Sequence, residues 1–242
     1  MAGIGVDGCR GGWMYFCLDT SGATFGVVRT LSELLQRTDA GDVVLVDVPI
    51  GLRDEGPLER LCDLEARAVL APARRGSSVF PVPCREAAHA ETYEEASRIN
   101  QARTGRRLSR QTWGIVPGIR EADLLIRNDA RARERMREAH PEVLFWALAG
   151  GTLVAESKKT REGFLARMDL LSAAWPGAEE VAAAAFVQHG GFRVSRDDVV
   201  DALAAAVSAL GAGGLQTLPG DPELDALGIP MEMVYAGPRL TP

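Results

Sequence analysis

A chain of 242 residues, 46% hydrophobic and 25% charged, can bury a sizeable core as one large or two small domains. Its net charge of −6 argues against a wholly basic surface, and no apolar run approaches the length of a spanning helix. The start, MAGIGVDGCRGG, lacks the basic-then-apolar order of a signal peptide, so a cytoplasmic protein without a membrane partner is expected. Cys9, Cys17, Cys62 and Cys84 show neither CxxC nor zinc-type spacing, which predicts reduced thiols.

In chain order, short apolar runs at 3–8 and 12–18 flank the turn 9–12, and a third run follows at 23–28. This pattern predicts a three-stranded meander. Residues 31–37 have helical spacing after Thr30 or Ser32 as the cap, and 43–47 read as a buried parallel strand. Beyond Gly51 and Leu52 the chain turns polar up to Arg137, with helices predicted over 58–71, 86–103 and 120–139. We read 53–137 as a helical insertion within a single domain spanning 1–242. The insertion holds 17 arginines against 13 acids, a net +4, which leaves −10 for the flanks. Arg103, Arg106, Arg107 and Arg110 are where a phosphate track would be sought within it. A fifth strand is predicted over 143–148, then helices over 160–174, 178–188 and 197–210, the last ending at Gly211.

Three acidic signatures punctuate this order. Asp7 ends GIGVD, Asp47 ends DVVLVD, and Asp198 and Asp201 open DDVVDALAAA. Strand, strand, strand, helix, strand, helix, strand, helix is the order of the RNase H-like fold, an α/β fold with a five-stranded mixed sheet whose first and fourth strands lie adjacent and parallel. Such pairing sets Asp7 and Asp47 side by side at the carboxyl edge, where open α/β sheets bind ligands. Gly3, Gly5 and Asp7 share a face, the glycines leaving room for a closely packed helix. Asp198 and Asp201, at i and i+3, project from one side of theirs. Carboxylates at the ends of buried elements are costly unless cations neutralise them. Phosphodiester hydrolysis needs such cations, two of them about 4 Å apart. Each acid also has a plainer reading. Asp198 stands at capping-box distance from Ser195, while Asp47 before Val48-Pro49 and Asp7 before Gly8 suit turns. Asp201 lies one turn deeper than a cap and carries more functional weight.

The motifs GIGVDGCRGGW, VLVDVPIGL, RGSSVFPVPCRE, QTWGIVPGIREAD, HPEVLFWAL, SKKT and DDVVDALAAA, in this order, resemble the domain-of-unknown-function 429 family, usually described as predicted RNase H-like nucleases. Within that superfamily the DxxDALA helix is similar to the last helix of RuvC-type Holliday junction resolvases. The resemblance implies Asp7, Asp47, Asp198 and Asp201 as ligands of Mg2+ or Mn2+, with nucleic acid as partner. The chain departs from the family pattern at Gly118, where a lysine is expected.

Further candidates are less tied to pattern. Glu142, before an apolar run, is a possible further ligand or base. Arg10, Arg75, Ser77, Ser78, Lys158 and Lys159 are candidate phosphate contacts, and Gln111 and Trp113 could read or stack a base. No P-loop, GxSxG or GxGxxG motif is present. The expected function is a divalent-metal-dependent nuclease. Its rivals are an actin-like phosphotransferase, holding ATP with Asp7-Gly8 and Gly11-Gly12, and a non-catalytic metal- or nucleic-acid-binding module.

Overall fold

A computed structural model describes residues 1–211 and 214–237. Strands β1 (Gly3–Cys9), β2 (Gly12–Asp19) and β3 (Gly22–Val28) form the expected antiparallel meander. Gly12 makes the first turn possible: its φ is +128°, and a Cβ there would meet Val28 O at 2.2 Å. Helix α1 (Leu31–Leu35) is capped by Thr30, whose hydroxyl accepts the Glu33 N–H. Strand β4 (Val43–Val46) then runs parallel to β1, pairing Gly3 with Val43 through Val6 with Val46.

The segment up to the next strand is helical. It comprises α2 (Leu61–Leu70), two 3-10 turns (Ala71–Ala73 and Gly76–Ser78), α3 (Arg85–Ala88), α4 (Tyr93–Thr104), α5 (Arg110–Asn128) and α6 (Ala130–Arg135). The helix predicted over 86–103 is split, because Thr92 caps a new helix by accepting the Glu95 N–H. That predicted over 120–139 stops at Asn128, where extended Asp129 caps α6 through the Arg131 N–H. Pro117 lies inside α5 rather than breaking it.

The fifth strand is not where the apolar run placed it. β5 (Met136–Glu138) pairs parallel with β4, Val44 opposite Met136 and Val46 opposite Glu138, and the sheet order is β3-β2-β1-β4-β5. Residues 143–148 belong instead to helix α7 (Pro141–Leu148). A short apolar run fits a buried helix as well as a strand, and Pro141 in the first turn favours the helix. Then come α8 (Arg161–Ala174), α9 (Ala178–His189) and α10 (Arg196–Ala209), followed by an unpredicted hairpin, β6 (Leu215–Leu224) and β7 (Pro230–Ala236).

Helices cover both sheet faces. Met14, Phe16 and Leu18 of β2 pack with α7–α10 on one face, while Ile4, Val6 and Trp13 pack with α1 and α5 on the other. The alternation predicted for β1 therefore holds. On its glycine face, α10 lies directly on the strand: a Cβ on Gly5 would meet Ala206 N at 2.0 Å, and one on Gly3 would meet Leu210 N at 2.5 Å. No helix among the described residues is long and apolar enough to cross a membrane, and all four cysteines are free.

Candidate functional site

Where β1 and β4 end, the chain brings acids together. The Asp47 N–H donates to Val6 O at 2.9 Å, extending the parallel ladder so that Asp47 stands beside Asp7. A hydrogen bond links the two side chains, and the Gly8 N–H donates to Asp7 Oδ1 at 2.8 Å. The close approach of α10 to β1, which only glycine allows, carries Asp201 to the same place. Asp201 is 4% exposed and accepts from Lys158 Nζ at 2.7 Å.

This packing leaves negative charge poorly compensated. Burial, then the carboxylates of Asp47, Asp201 and Asp198, raises the Asp7 pKa well above the usual carboxylate range. Burial and then Asp201 push Asp47 up to about 7, with Lys158 and the hydrogen bond from Asp7 pulling the other way. Asp201 is raised to about 6 by burial, the largest effect, although Lys158 opposes it. Burial works against the Lys158 ammonium, yet the adjacent Asp201 more than offsets this and raises its pKa.

Asp198 fulfils its plainer reading. Its Oδ2 accepts the Ser195 N–H at 2.8 Å and its Oδ1 the Ser195 hydroxyl at 2.6 Å, closing a capping box on α10. It is still near enough to Asp7 to raise its pKa. As placed, no group of three or more His, Cys, Asp or Glu among the described residues is arranged to hold a metal ion. The donor chemistry nonetheless suits a hard divalent cation: Asp7 and Asp47 are paired carboxylates whose pKa values are raised by burial and by their acidic neighbours.

Glu138 was missed, although it ends β5 as Asp7 and Asp47 lie at the ends of β1 and β4. The signal was present in the sequence but masked, because Met136–Glu138 read as the tail of a helix. Glu138 is 3% exposed and accepts from Ile50 N–H at 2.7 Å and from both terminal nitrogens of Arg60 at 2.8 and 2.9 Å. Arg60 also grips Asp63, at 2.5 Å. Burial raises Glu138 to about 7 even so.

Glu142 is not free to act as a base. Arg75 Nη1 donates to its Oε2 at 2.7 Å and Arg167 Nη2 to its Oε1 at 2.9 Å. Arg75 thereby ties α7 to the backbone carbonyls of Ala155 and Glu156, and is itself committed.

Two cavities meet at this spot. A cleft of about 670 Å³ is lined by Asp7, Asp47 and Asp198, with Arg10, Arg29, Arg193 and Phe192 also on its wall. Arg10 stacks on Phe192, its guanidinium carbon 4.4 Å from the ring centre, and Phe192 is 83% exposed. Of these contacts only Arg10 was foreseen. Gly118 lines the same cleft, and a Cβ there would stand 3.0 Å from the Trp13 ring, so glycine lets α5 lie close over that indole. A second cavity of about 440 Å³ adjoins through Asp47, Val48 and Ile115, and carries Lys158, Lys159, Ser78 and His140 on its wall.

Other candidates lie apart. Ser77 is exposed, and Gln111 lies on the exposed surface of α5. Trp113 packs edge-on against Tyr93, ring centres 6.1 Å apart, in a satellite core with Leu108 and Val116. The arginines of the helical segment are largely neutralised on the surface: Arg103 by Glu86, Arg106 by Glu59 and Arg110 by Glu94, while Arg107 bonds Gln101.

Neither a curated protein nor a solved structure matches this chain. A family does: residues 5–224, nearly the whole length, match the family described as "Protein of unknown function (DUF429)", and the chain belongs to it.

Proposed function

We propose that this protein is a divalent-metal-dependent nuclease built on an RNase H-like fold, with the helices between β4 and β5 inserted into it. The single observation that carries the reading is the meeting of Asp7, Asp47 and Asp201, from two adjacent parallel strands and the helix packed across them, with charge that the protein itself leaves undercompensated. Asp7 and Asp47 would hold Mg2+ or Mn2+; Asp201 and Asp198 are the remaining acids of the set, the first shared with Lys158 and the second with the helix cap. Bound there, the ion supplies Lewis acidity, lowering the pKa of water and offsetting charge on the phosphodiester.

The chain's own groups do the rest. Arg10, Arg29 and Arg193 on the cleft wall suit backbone phosphates, and exposed Phe192 offers a stacking face to a base. Lys158, next to both Asp47 and Asp201, supplies a point charge beside the scissile group. The test is hydrolysis of labelled duplexes, junctions, hybrids and single strands with Mn2+. Cleavage by the wild type and its loss in Asp47→Asn support the reading. Inactivity on every substrate, or activity surviving Asp47→Asn, refutes it.

A further inference from the structure

The second cavity extends from Asp47 away from Asp7, and its construction indicates what it takes. We infer that it receives a single unstacked nucleobase of the substrate strand, next to the phosphate held at Asp7 and Asp47; this rests on the nuclease reading. Asp47, Val48 and Ile115 form the wall shared with the acidic cleft, so one nucleotide can present its phosphate to one cavity and its base to the other. The volume of about 440 Å³ lies within the ordinary range of small-molecule sites and holds one nucleotide unit rather than a stacked helix.

The lining matches a base. Val79, Phe80, Val82 and Met233 supply apolar and aromatic faces, which accept the π-face of any base. Most polar side chains on the wall are already paired, Glu138 and Asp63 with Arg60 and Glu142 with Arg75 and Arg167, and Asp47 stands on the side shared with the acidic cleft. His140 is the exception. Its Nε2 faces Ser78 O at 3.4 Å, while its Nδ1 is buried with no hydrogen-bond partner. Burial also holds its pKa below the usual histidine range, so the ring is neutral at pH 7. A buried imidazole nitrogen without a partner is costly, and since His140 lines the cavity, a base edge that reached its Nδ1 would satisfy it. Lys158 and Lys159, on the same wall, are placed to meet the attached phosphate.

A base can reach this cavity only by leaving its stack, so the substrate position is an unpaired or extruded nucleotide. The test is calorimetric titration of 5′-mononucleotides and of ribose 5-phosphate in EDTA, where no ion contributes. Mononucleotides are expected to bind at least tenfold more tightly than the sugar phosphate. His140→Ala should lower that preference roughly fivefold to tenfold, the worth of about one hydrogen bond. Phe80→Ala, at a half-buried wall position, should lower it as well. Equal binding of mononucleotide and sugar phosphate, no binding of either, or a preference unchanged in both cavity variants overturns the inference. Base preference without hydrolysis in any assay would retire the nuclease reading alone. Asp47-dependent hydrolysis without base preference would retire this inference alone.

Discussion

Replacing Asp47 by asparagine should abolish turnover and yet stabilise the fold. In the folded protein burial and Asp201 hold the Asp47 pKa at about 7, against 3.8 ordinarily. An acid with a raised folded pKa binds its proton more tightly folded than unfolded. Its contribution is therefore full below about pH 4 and is lost as pH rises toward 7. The gap sets a ceiling of ~4 kcal/mol on the cost of ionising Asp47 at pH 8. Solvent reaches the side chain in part, which screens this to ~1–2 kcal/mol. Asp47→Asn should thus raise Tm by roughly 2–8 °C at pH 8 in EDTA and by little at pH 4. Adding Mn2+ should raise the wild-type Tm above that of the variant, since saturation at a hundred times Kd contributes ~2.7 kcal/mol, more than the ~1–2 kcal/mol gained by the substitution. Differential scanning fluorimetry across pH, with and without Mn2+, reads all of this. A variant less stable than wild type at pH 8, or equally stabilised at pH 4 and 8, would refute the electrostatic argument.

Gly5→Ala places a methyl 2.0 Å from the backbone of α10, which must move; urea unfolding should show a loss of ~3 kcal/mol or more, and hydrolysis should fall as Asp201 leaves Asp47. Lys158→Met strips the half-buried Asp201 pair of its cation, so stability should fall by ~1–2 kcal/mol at pH 8 and recover below about pH 5, where Asp201 is protonated in the folded protein with or without the lysine, as checked by denaturation at the two pH values. Phe192→Ala should leave Tm unchanged, because the ring is 83% exposed, while anisotropy titration of a labelled single strand shows affinity lowered about fivefold or more.

Much of the geometry of the candidate site follows from local pattern. The two-residue alternation of β1 put Gly3, Gly5 and Asp7 on one face, and the small glycines there implied a helix in backbone contact, which α10 provides. The Ser195 and Asp198 spacing implied the capping box that is present. Such features are written within a few residues, because side-chain alternation and capping are local geometry. Tertiary structure alone decided the rest. Met136–Glu138 is too short to announce itself as a strand, and becomes one because β4 offers an unpaired edge that satisfies its backbone groups. With it came Glu138, buried on Arg60 from 78 residues away. Likewise, no spacing rule pairs Lys158 with Asp201, or exposes Phe192 beside Asp7. Those contacts depend on how separate elements dock, and docking is selected by buried area and charge over the whole fold rather than by neighbours in the chain.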